Sequence, residues 1–424
     1  MSNITLTKDQ LHALREFKLF LSKPNEKFMI IDGAAGCGKS TLIAHLYDAL
    51  QAQIKMYALL LCKVPEKGEF KIRLTATTNK ATAVLRELTG MNAQTIHSLL
   101  GLKVTADYQT GENQLIKKED YALLNNYLII IDEGSMLDDR LFAILDETAC
   151  DCKVVIVGDQ SQLAPVRQKV SIMEKLICRK VTLHKVMRHA GDILHTGALF
   201  RNTVETGIFS DIPLSADVQH VDGPTFQKLI DQAFTDRKYK TNKAKVLAWT
   251  NGRVHEYNQH IRTIKGYPDL FQEGEIVFTN NPIMHSSYMI PTDSAVTVTA
   301  VSPLVQEKDV NGHYITLDHK VTAFLPLSAW DVKLRLKQAA RDKKWIDYFE
   351  MKDRWLDLRP AYASTVHKAQ GSSYGTVFID LSDIGKCHIS SDVARMLYVS
   401  ISRAVDKVVL YGNLPNKYKG AIAA

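Results

Sequence analysis

The chain has no apolar run near the roughly 18 residues that a membrane-spanning helix needs, so no membrane partner is expected. Its opening stretch, Met1 to Glu16, lacks the apolar core of a secretory signal and mixes acids with bases, which predicts a cytoplasmic protein. Paired cysteines are missing too. Cys37, Cys62, Cys150, Cys152, Cys178 and Cys387 show no CxxC spacing, which argues against a disulfide framework. Cys150 and Cys152 alone make a poor zinc signal, so reduced structural thiols are expected. There is no internal repeat and no low-complexity segment. Nor does one sign of charge dominate: 53 Lys and Arg against 46 Asp and Glu leave a formal +7. That mild basicity favours a polyanionic partner only slightly.

What is present is an ordinary globular composition, 46% hydrophobic and 23% charged, spread over 424 residues. That length exceeds a single core and predicts two or three domains. The most informative segment is Gly33-Ala34-Ala35-Gly36-Cys37-Gly38-Lys39-Ser40. It follows the apolar Phe28-Met29-Ile30-Ile31 and leads into Thr41-Leu42-Ile43-Ala44-His45-Leu46. The spacing is that of a phosphate-binding loop between a strand and a helix. Glycines let backbone N–H groups converge on a phosphate, and the helix N-terminus adds a favourable dipole. Lys39 is placed to reach the β- and γ-phosphates and Ser40 to hold Mg²⁺. A nucleoside triphosphate with magnesium is the ligand this loop predicts.

Short apolar strands alternate with helical patterns around the loop. Lys27–Asp32, Lys71–Ala76, Tyr127–Asp132 and Lys153–Gly158 read as strands, with helices at Lys80–Thr89 and Asp138–Thr148. The alternation predicts an α/β domain built on a parallel sheet. It restarts with strands at Lys245–Thr250, Thr376–Asp380 and Lys407–Tyr411 and helices at Gly252–Ile264 and Ser391–Ser402, a second domain of the same class. Two inserts interrupt the scheme. Gly101–Tyr121 alternates about a Gln109-Thr110-Gly111-Glu112-Asn113 turn and reads as a β-hairpin. Gln272–Leu358 holds β-rich runs such as Glu275–Thr279 and Ala295–Val301. It ends in a basic stretch through Lys333, Arg335, Lys337, Arg341, Lys343 and Lys344, whose default is a solvated helix face. Trp330, Trp345 and Trp355 in the same region read as insert core rather than as platforms for bases.

Beyond the Leu128–Ile131 strand stands Asp132-Glu133-Gly134-Ser135. Asp132 is placed to coordinate Mg²⁺, and Glu133 to orient or deprotonate an attacking water. The next strand ends in Gly158-Asp159-Gln160-Ser161-Gln162-Leu163-Ala164-Pro165, where Gln162 offers an uncharged donor and acceptor to a γ-phosphate.

GAAGCGKS, DEGSM and GDQSQLAPV, in this order, resemble motifs I, II and III of the superfamily 1 helicases. The rest of the chain agrees. Gln10 resembles the Q-motif glutamine that reads adenine. Thr75–Ala81 and Gln94–Leu100 are similar to motifs Ia and Ib, Leu183–Arg188 to motif IV, Ala363–Gly371 to motif V and Leu397–Ala404 to motif VI. His97-Ser98-Leu99-Leu100, Thr250-Asn251 and Val366-His367-Lys368-Ala369-Gln370-Gly371 favour the RecD-like branch. The chain departs from the pattern at Cys37, where Thr or Ser is common, at Gly134, where Ala or Val is usual, and at Ser402, where Thr is frequent.

The resemblance implies two RecA-like domains: 1A over residues 1–167, with a pin insert at about 98–121, and 2A over 168–271 and 359–424, split by an SH3-like 2B insert at 272–358. Tyr108 and Leu115 are the candidates for the pin's strand-separating residue. ATP would contact Gln10, Gly33, Ala34, Ala35, Gly36, Cys37, Gly38, Lys39, Ser40, Thr41 and Gly371, with Mg²⁺ on Ser40 and Asp132. Catalysis would use Lys39, Asp132, Glu133 and Gln162 on one wall, and Arg188 and Arg403 reaching in from the other. Thr77, Asn79, Thr95, His97, Thr365 and His367 would contact single-stranded DNA. The implied activity is ATP-driven movement along single-stranded DNA, 5′ to 3′, with unwinding at duplex junctions. The implied state is a monomer, because one chain supplies both walls, and replication or recombination proteins are the implied partners. The alternative is a P-loop ATPase that acts as a non-unwinding switch or loader for a protein partner.

Overall fold

Runs of Ile, Val and Leu closed by Asp or Gly form strands because a parallel sheet buries both of its faces. The structure is a computed structural model that describes residues 6–51, 70–106, 113–117, 123–165, 168, 170–187, 191–235, 241–267, 270–285 and 288–418. Its first lobe contains β1 (Phe28–Gly33), β2 (Lys71–Ala76), β3 (Ala93–Thr95), β4 (Leu102–Ala106), β5 (Asn113–Lys117), β6 (Leu124–Asp132), β7 (Ala149–Gly158) and β8 (Arg179–Leu183). Six of these make an all-parallel sheet in the order β3-β2-β6-β7-β1-β8, while β4 and β5 pair antiparallel as a hairpin. Helices Lys8–Ser22, Lys39–Gln51 and Asn79–Thr89 pack Phe17, Leu42, Leu46 and Leu85 on one face. Asp139–Thr148 packs Leu141 and Leu145 on the other.

The remainder contains β9 (Val218–Val221), β10 (Ala244–Ala248), β11 (Ile276–Thr279), β12 (Ile283–His285), β13 (Tyr288–Ile290), β14 (Ala295–Val301), β15 (Val305–Glu307), β16 (Val310–Leu317), β17 (Val321–Pro326), β18 (Leu358–Pro360), β19 (Ala363–Thr365), β20 (Tyr374–Asp380) and β21 (Ala404–Tyr411). A second all-parallel sheet runs β19-β10-β20-β21-β9. Helices Gly191–Thr206 and Ser390–Ser402 cover one of its faces, through Phe200, Val393 and Leu397. Gly223–Thr235 and Asn251–Ile264 cover the other, through Phe226, Ile230 and Ile261. Between β10 and β19 lies an antiparallel sheet, β15-β16-β14-β11-β18 with β17 on β16, and two helices, Ala329–Arg341 and Trp345–Arg354.

The domain boundary read at 167 assigns Arg179–Leu183 to the second domain. Its pairing along β1 places it in the first sheet instead, because Val181 and Leu183 fill the first core. The insert reaches past 358, since Leu358–Pro360 pairs with β11. Of the three tryptophans read as insert core, Trp355 is buried against Phe324, but Trp330 is 69% exposed and Trp345 is exposed on the helical pair. Tyr108 lies outside the described residues, as does the turn at 109–112. Among the described residues no helix is long and apolar enough to cross a membrane, and Cys37, Cys150, Cys152, Cys178 and Cys387 are free thiols.

Candidate functional site

The phosphate-binding loop joins β1 to the helix starting at Lys39, at the carboxyl edge of the first sheet. There Asp32 is level with Gly158 and Ala76 with Asp132, so three loops open onto one edge. Close packing dictates the small residues. A Cβ on Gly33 would stand 2.6 Å from Cys37 Sγ and 2.9 Å from Leu183 Cβ, and Gly38 combines a φ of +76° with equally tight neighbours in Gln10 and Met187. The Cys37 thiol fills that space, and burial pushes its pKa up, which makes it a packing group. Gly134, the departure in the second motif, has the same cause: a Cβ there would lie 2.3 Å from Ile156 Cγ2.

A cleft of about 290 Å³ is lined by Ala35, Gly36, Gly38, Lys39, Ser40 and Thr41 from the loop, by Asp132, Glu133 and Gln162, and by Gly371 and Arg403 from the second lobe. Gln10, Gly33, Ala34 and Cys37 stand behind this surface. Gln10 accepts the Thr7 N–H at 2.9 Å as part of a capping box and donates from Nε2 to the carbonyls of Cys37 and Gly38, each at 3.3 Å. It braces the loop in this state. Lys39 Nζ donates to the carbonyls of Gly33 at 2.7 Å and Ala34 at 3.0 Å.

Ser40 Oγ donates to Asp132 Oδ2 at 3.3 Å. Burial first, and then the neighbouring Glu133 carboxylate, raise the Asp132 pKa to about 6. A divalent cation on these two oxygens would relieve that cost, so the pair fits magnesium. Among the described residues no cluster of three metal-ligating side chains exists. Glu133 adopts φ +53°, an uncommon conformation for a side chain with a Cβ. Its N–H donates to Asp132 Oδ1 at 2.9 Å, its carbonyl accepts from Thr77 Oγ1 at 3.1 Å, and its Oε2 is buried without a hydrogen-bond partner.

Arg403 is 2% exposed and is held by the carbonyls of Val399 at 3.3 Å and Ser372 at 3.2 Å while lining the cleft. Arg188 lies outside the described residues. The described chain before it lies against the phosphate loop, where the Met187 N–H donates to the Gly36 carbonyl at 2.9 Å.

Behind the cleft, buried polar groups join the lobes. Tyr398 OH accepts the Ala35 N–H at 3.1 Å and donates to Asp159 Oδ2 at 2.6 Å. Arg201 pairs with Asp32 at 3.2 Å. Arg395 Nη1 donates to the Gln162 carbonyl at 2.7 Å, and its Nη2 pairs with Glu174 at 2.9 Å. Of these residues, sequence reasoning singled out Ala35 and Gln162 and passed over Tyr398, Asp159, Asp32, Arg201, Arg395 and Glu174. Tyr398 and Asp159 sit inside recognised motifs, but only packing reveals that they meet.

A second cavity of about 440 Å³ adjoins the cleft and shares Glu133 and Gly371 with it. Thr77, Asn79, Thr95, His97 and His367 line it. Thr365 does not: it is buried, and its Oγ1 accepts the Lys368 N–H at 3.3 Å, a local cap. Burial lowers the pKa of both His97 and His367, which favours neutral rings. Lys80, Lys245, Arg359 and Lys368 also line this groove and were not singled out from the sequence.

A family model described as an AAA domain matches residues 20–168, and one described as a UvrD-like helicase C-terminal domain matches 360–411. The ATP-dependent DNA helicase dda of Enterobacteria phage T4 is 24% identical over 457 residues, covering 94% of this chain and 97% of that protein. The RecBCD enzyme subunit RecD of Buchnera aphidicola subsp. Schizaphis graminum is 29% identical over 186 residues, covering 39% of this chain and 27% of that one. A crystal structure of the Pif1 helicase from Bacteroides in complex with ADP-AlF3 and ssDNA superposes with a TM-score of 0.52 at 15% identity, covering 99% and 95% of the two chains. A structure of two coordinating Pif1 helicases at forked dsDNA gives 0.53 at 16% identity, covering 98% and 94%. These two likenesses establish the shared fold.

A phosphate-binding loop on one parallel sheet, faced by an arginine from a second, defines a two-lobed P-loop ATPase. Within that class the chain is similar to the ATP-dependent DNA helicases of superfamily 1, in the RecD-like branch.

Proposed function

We propose that this protein moves 5′ to 3′ along single-stranded DNA and separates duplexes at junctions, driven by hydrolysis of ATP with Mg²⁺ in the cleft between its lobes. One observation carries the reading: Glu133 and Gly371 line both the nucleotide cleft and the adjoining groove, so the loop bearing the general base is a shared wall of two sites.

On this reading Lys39 leaves its own loop carbonyls for the β- and γ-phosphates, and Gln162 meets the γ-phosphate. Ser40 and Asp132 would hold the magnesium ion, whose charge would offset that of the phosphate oxygens. Glu133 Oε2, buried and unpartnered, accepts a proton from the attacking water. Arg403 offsets the charge that develops on the transferring phosphoryl group, an effect of roughly 10³–10⁵ in rate where measured. Contacts made by Arg403 only in the closed cleft bias the lobes toward closure, and their loss after hydrolysis reverses it. Thr77, Asn79, Thr95, His97 and His367 hold the strand by backbone contacts that carry no sequence information. The hairpin β4–β5 serves as the pin and the antiparallel insert as the SH3-like 2B domain. The polarity comes from the RecD-like branch.

The test is ATPase turnover with and without oligo-dT, followed by unwinding of duplexes carrying a 5′ or a 3′ single-stranded tail. Turnover should rise many-fold with DNA, and only the 5′-tailed substrate should open. An ATPase indifferent to DNA defeats the motor reading, and unwinding from the 3′ tail alone defeats the polarity.

A further inference from the structure

Four cations from separate segments converge on the groove: Lys80 from the helix Asn79–Thr89, Lys245 from β10, Arg359 from β18 and Lys368 beyond β19. Arg359 donates to Asn280 Oδ1 at 2.6 Å, and Lys368 Nζ reaches the same oxygen at 3.2 Å. Lys80 donates to Ser372 Oγ, and Lys245 donates to the Ala361 carbonyl at 2.7 Å. Phe278 lies beneath two of them, its ring centre 5.0 Å from Lys245 Nζ and 5.4 Å from Arg359 Cζ. The groove is lined by two carboxylates. Glu133 belongs to the shared wall with the cleft, while Asp293 stands among the cations, paired with the Arg359 guanidinium.

Crowding positive charge in a half-buried groove is unfavourable unless an anion sits there. The cost is visible here. Burial first and then nearby cations lower the pKa of Lys245, to about 7, and of Lys80 and Lys368, while the Asp293 charge opposes the fall at all three. One carboxylate serving several cations is a stand-in of defined chemistry: charge −1 with two terminal oxygens, like the phosphodiester of a nucleic-acid backbone. Asp293 is also placed to leave. It sits in the turn between β13 and β14 of the insert, 43% exposed, and not in either RecA-like sheet.

We propose that the basin formed by Lys80, Lys245, Arg359 and Lys368 is the seat of a backbone phosphate of single-stranded DNA, held by Asp293 until the strand displaces it. The proposal rests on the single-strand reading of the groove. It makes the insert a gate, because seating a phosphate requires the β13–β14 turn to release Arg359.

The test is binding of a fluorescein-labelled oligo-dT to the full chain, read by anisotropy across a salt series, for wild type, Asp293→Asn, Asp293→Gly and Arg359→Gln. Asn and Gly both accept the φ of +61° at this position, so these variants keep the turn. Removing the competing carboxylate should tighten binding about tenfold near physiological salt, a change of about 1.4 kcal/mol. Half-saturation of the DNA-stimulated ATPase should move to correspondingly lower DNA. Arg359→Gln should weaken binding and reduce the slope of log affinity against log salt by about one. If wild type binds but both Asp293 variants bind equally or more weakly, the carboxylate is a structural partner of Arg359 and the gate is refuted. If wild type binds no oligonucleotide at any salt, the single-strand reading falls, and the gate with it.

Discussion

Replacing Tyr398 by Phe isolates what joins the lobes, because it deletes one oxygen and leaves the ring's packing intact. That oxygen accepts the Ala35 N–H at 3.1 Å and donates to Asp159 Oδ2 at 2.6 Å, and both partners are buried. A hydrogen bond to a charged group contributes about 1.5–3 kcal/mol, and a buried N–H left without a partner costs about 1–3 kcal/mol. Asp159 keeps the Ser161 N–H at 3.1 Å and Gln162 Nε2 at 3.3 Å, which limits the damage on its side. A net loss of about 2–4 kcal/mol is expected, read as a lower urea midpoint at unchanged slope. The hydroxyl is not part of the cleft lining, so the KM for ATP should hold. DNA-saturated kcat should fall, since Asp159 helps position Gln162 and the second lobe loses its grip on the phosphate loop. A midpoint within about 0.5 kcal/mol of wild type, with kcat unaltered, would refute the argument that this hydroxyl couples the lobes.

Three further changes test the site. Asp132→Asn should abolish hydrolysis yet stabilise the magnesium-free protein. The native carboxyl's pKa is raised to about 6, so its contribution to stability is full below the ordinary carboxylate range and lost as pH rises through about 6. The gain above pH 7 should approach roughly 3 kcal/mol in urea unfolding, and a variant less stable than wild type there contradicts the burial argument. Gly134→Ala should cost about 1–3 kcal/mol by overpacking against Ile156, visible as a lower melting temperature. Thr77→Val removes the hydroxyl that holds the Glu133 carbonyl at 3.1 Å, so DNA stimulation of the ATPase should drop several-fold more than basal turnover.

The phosphate loop, the acidic pair and most strands were legible because local rules set them. Lys71–Ala76 and Ala295–Val301 match residue for residue, each bounded by a change of composition that punctuates the chain. Other features depend on contacts that no local pattern encodes. Arg179–Leu183, which opens on Arg179 and Lys180, looks like a weak edge strand, and only pairing with β1 assigns it to the first sheet. Thr365 has the residue type of a DNA contact, but its hydroxyl caps its own backbone. The buried junction of Asp32, Asp159, Arg201 and Tyr398 draws on segments far apart in the chain, as does the basin around Asp293.

The position of Glu133 shows why these long-range features matter to the motor. A left-handed backbone at a residue with a Cβ is sparsely populated and persists only where surrounding contacts over-determine it. Here those contacts come from both sites: the Glu133 N–H is fixed by the Asp132 carboxylate, and its carbonyl by Thr77 in the groove. On the proposed mechanism, moving Thr77 toward a bound strand alters the restraint on Glu133, and a cation drawing on Asp132 alters it from the other side. The opposite face is a glycine. Gly371, at φ +71°, has a backbone that would set a Cβ 3.8 Å from Glu133 Oε1. A side chain larger than alanine there would compete for the space in which the water and the carboxylate must meet. On the proposed mechanism, coupling hydrolysis to movement needs no long relay between distant sites, because one residue in a sparsely populated conformation is held by groups from both of them.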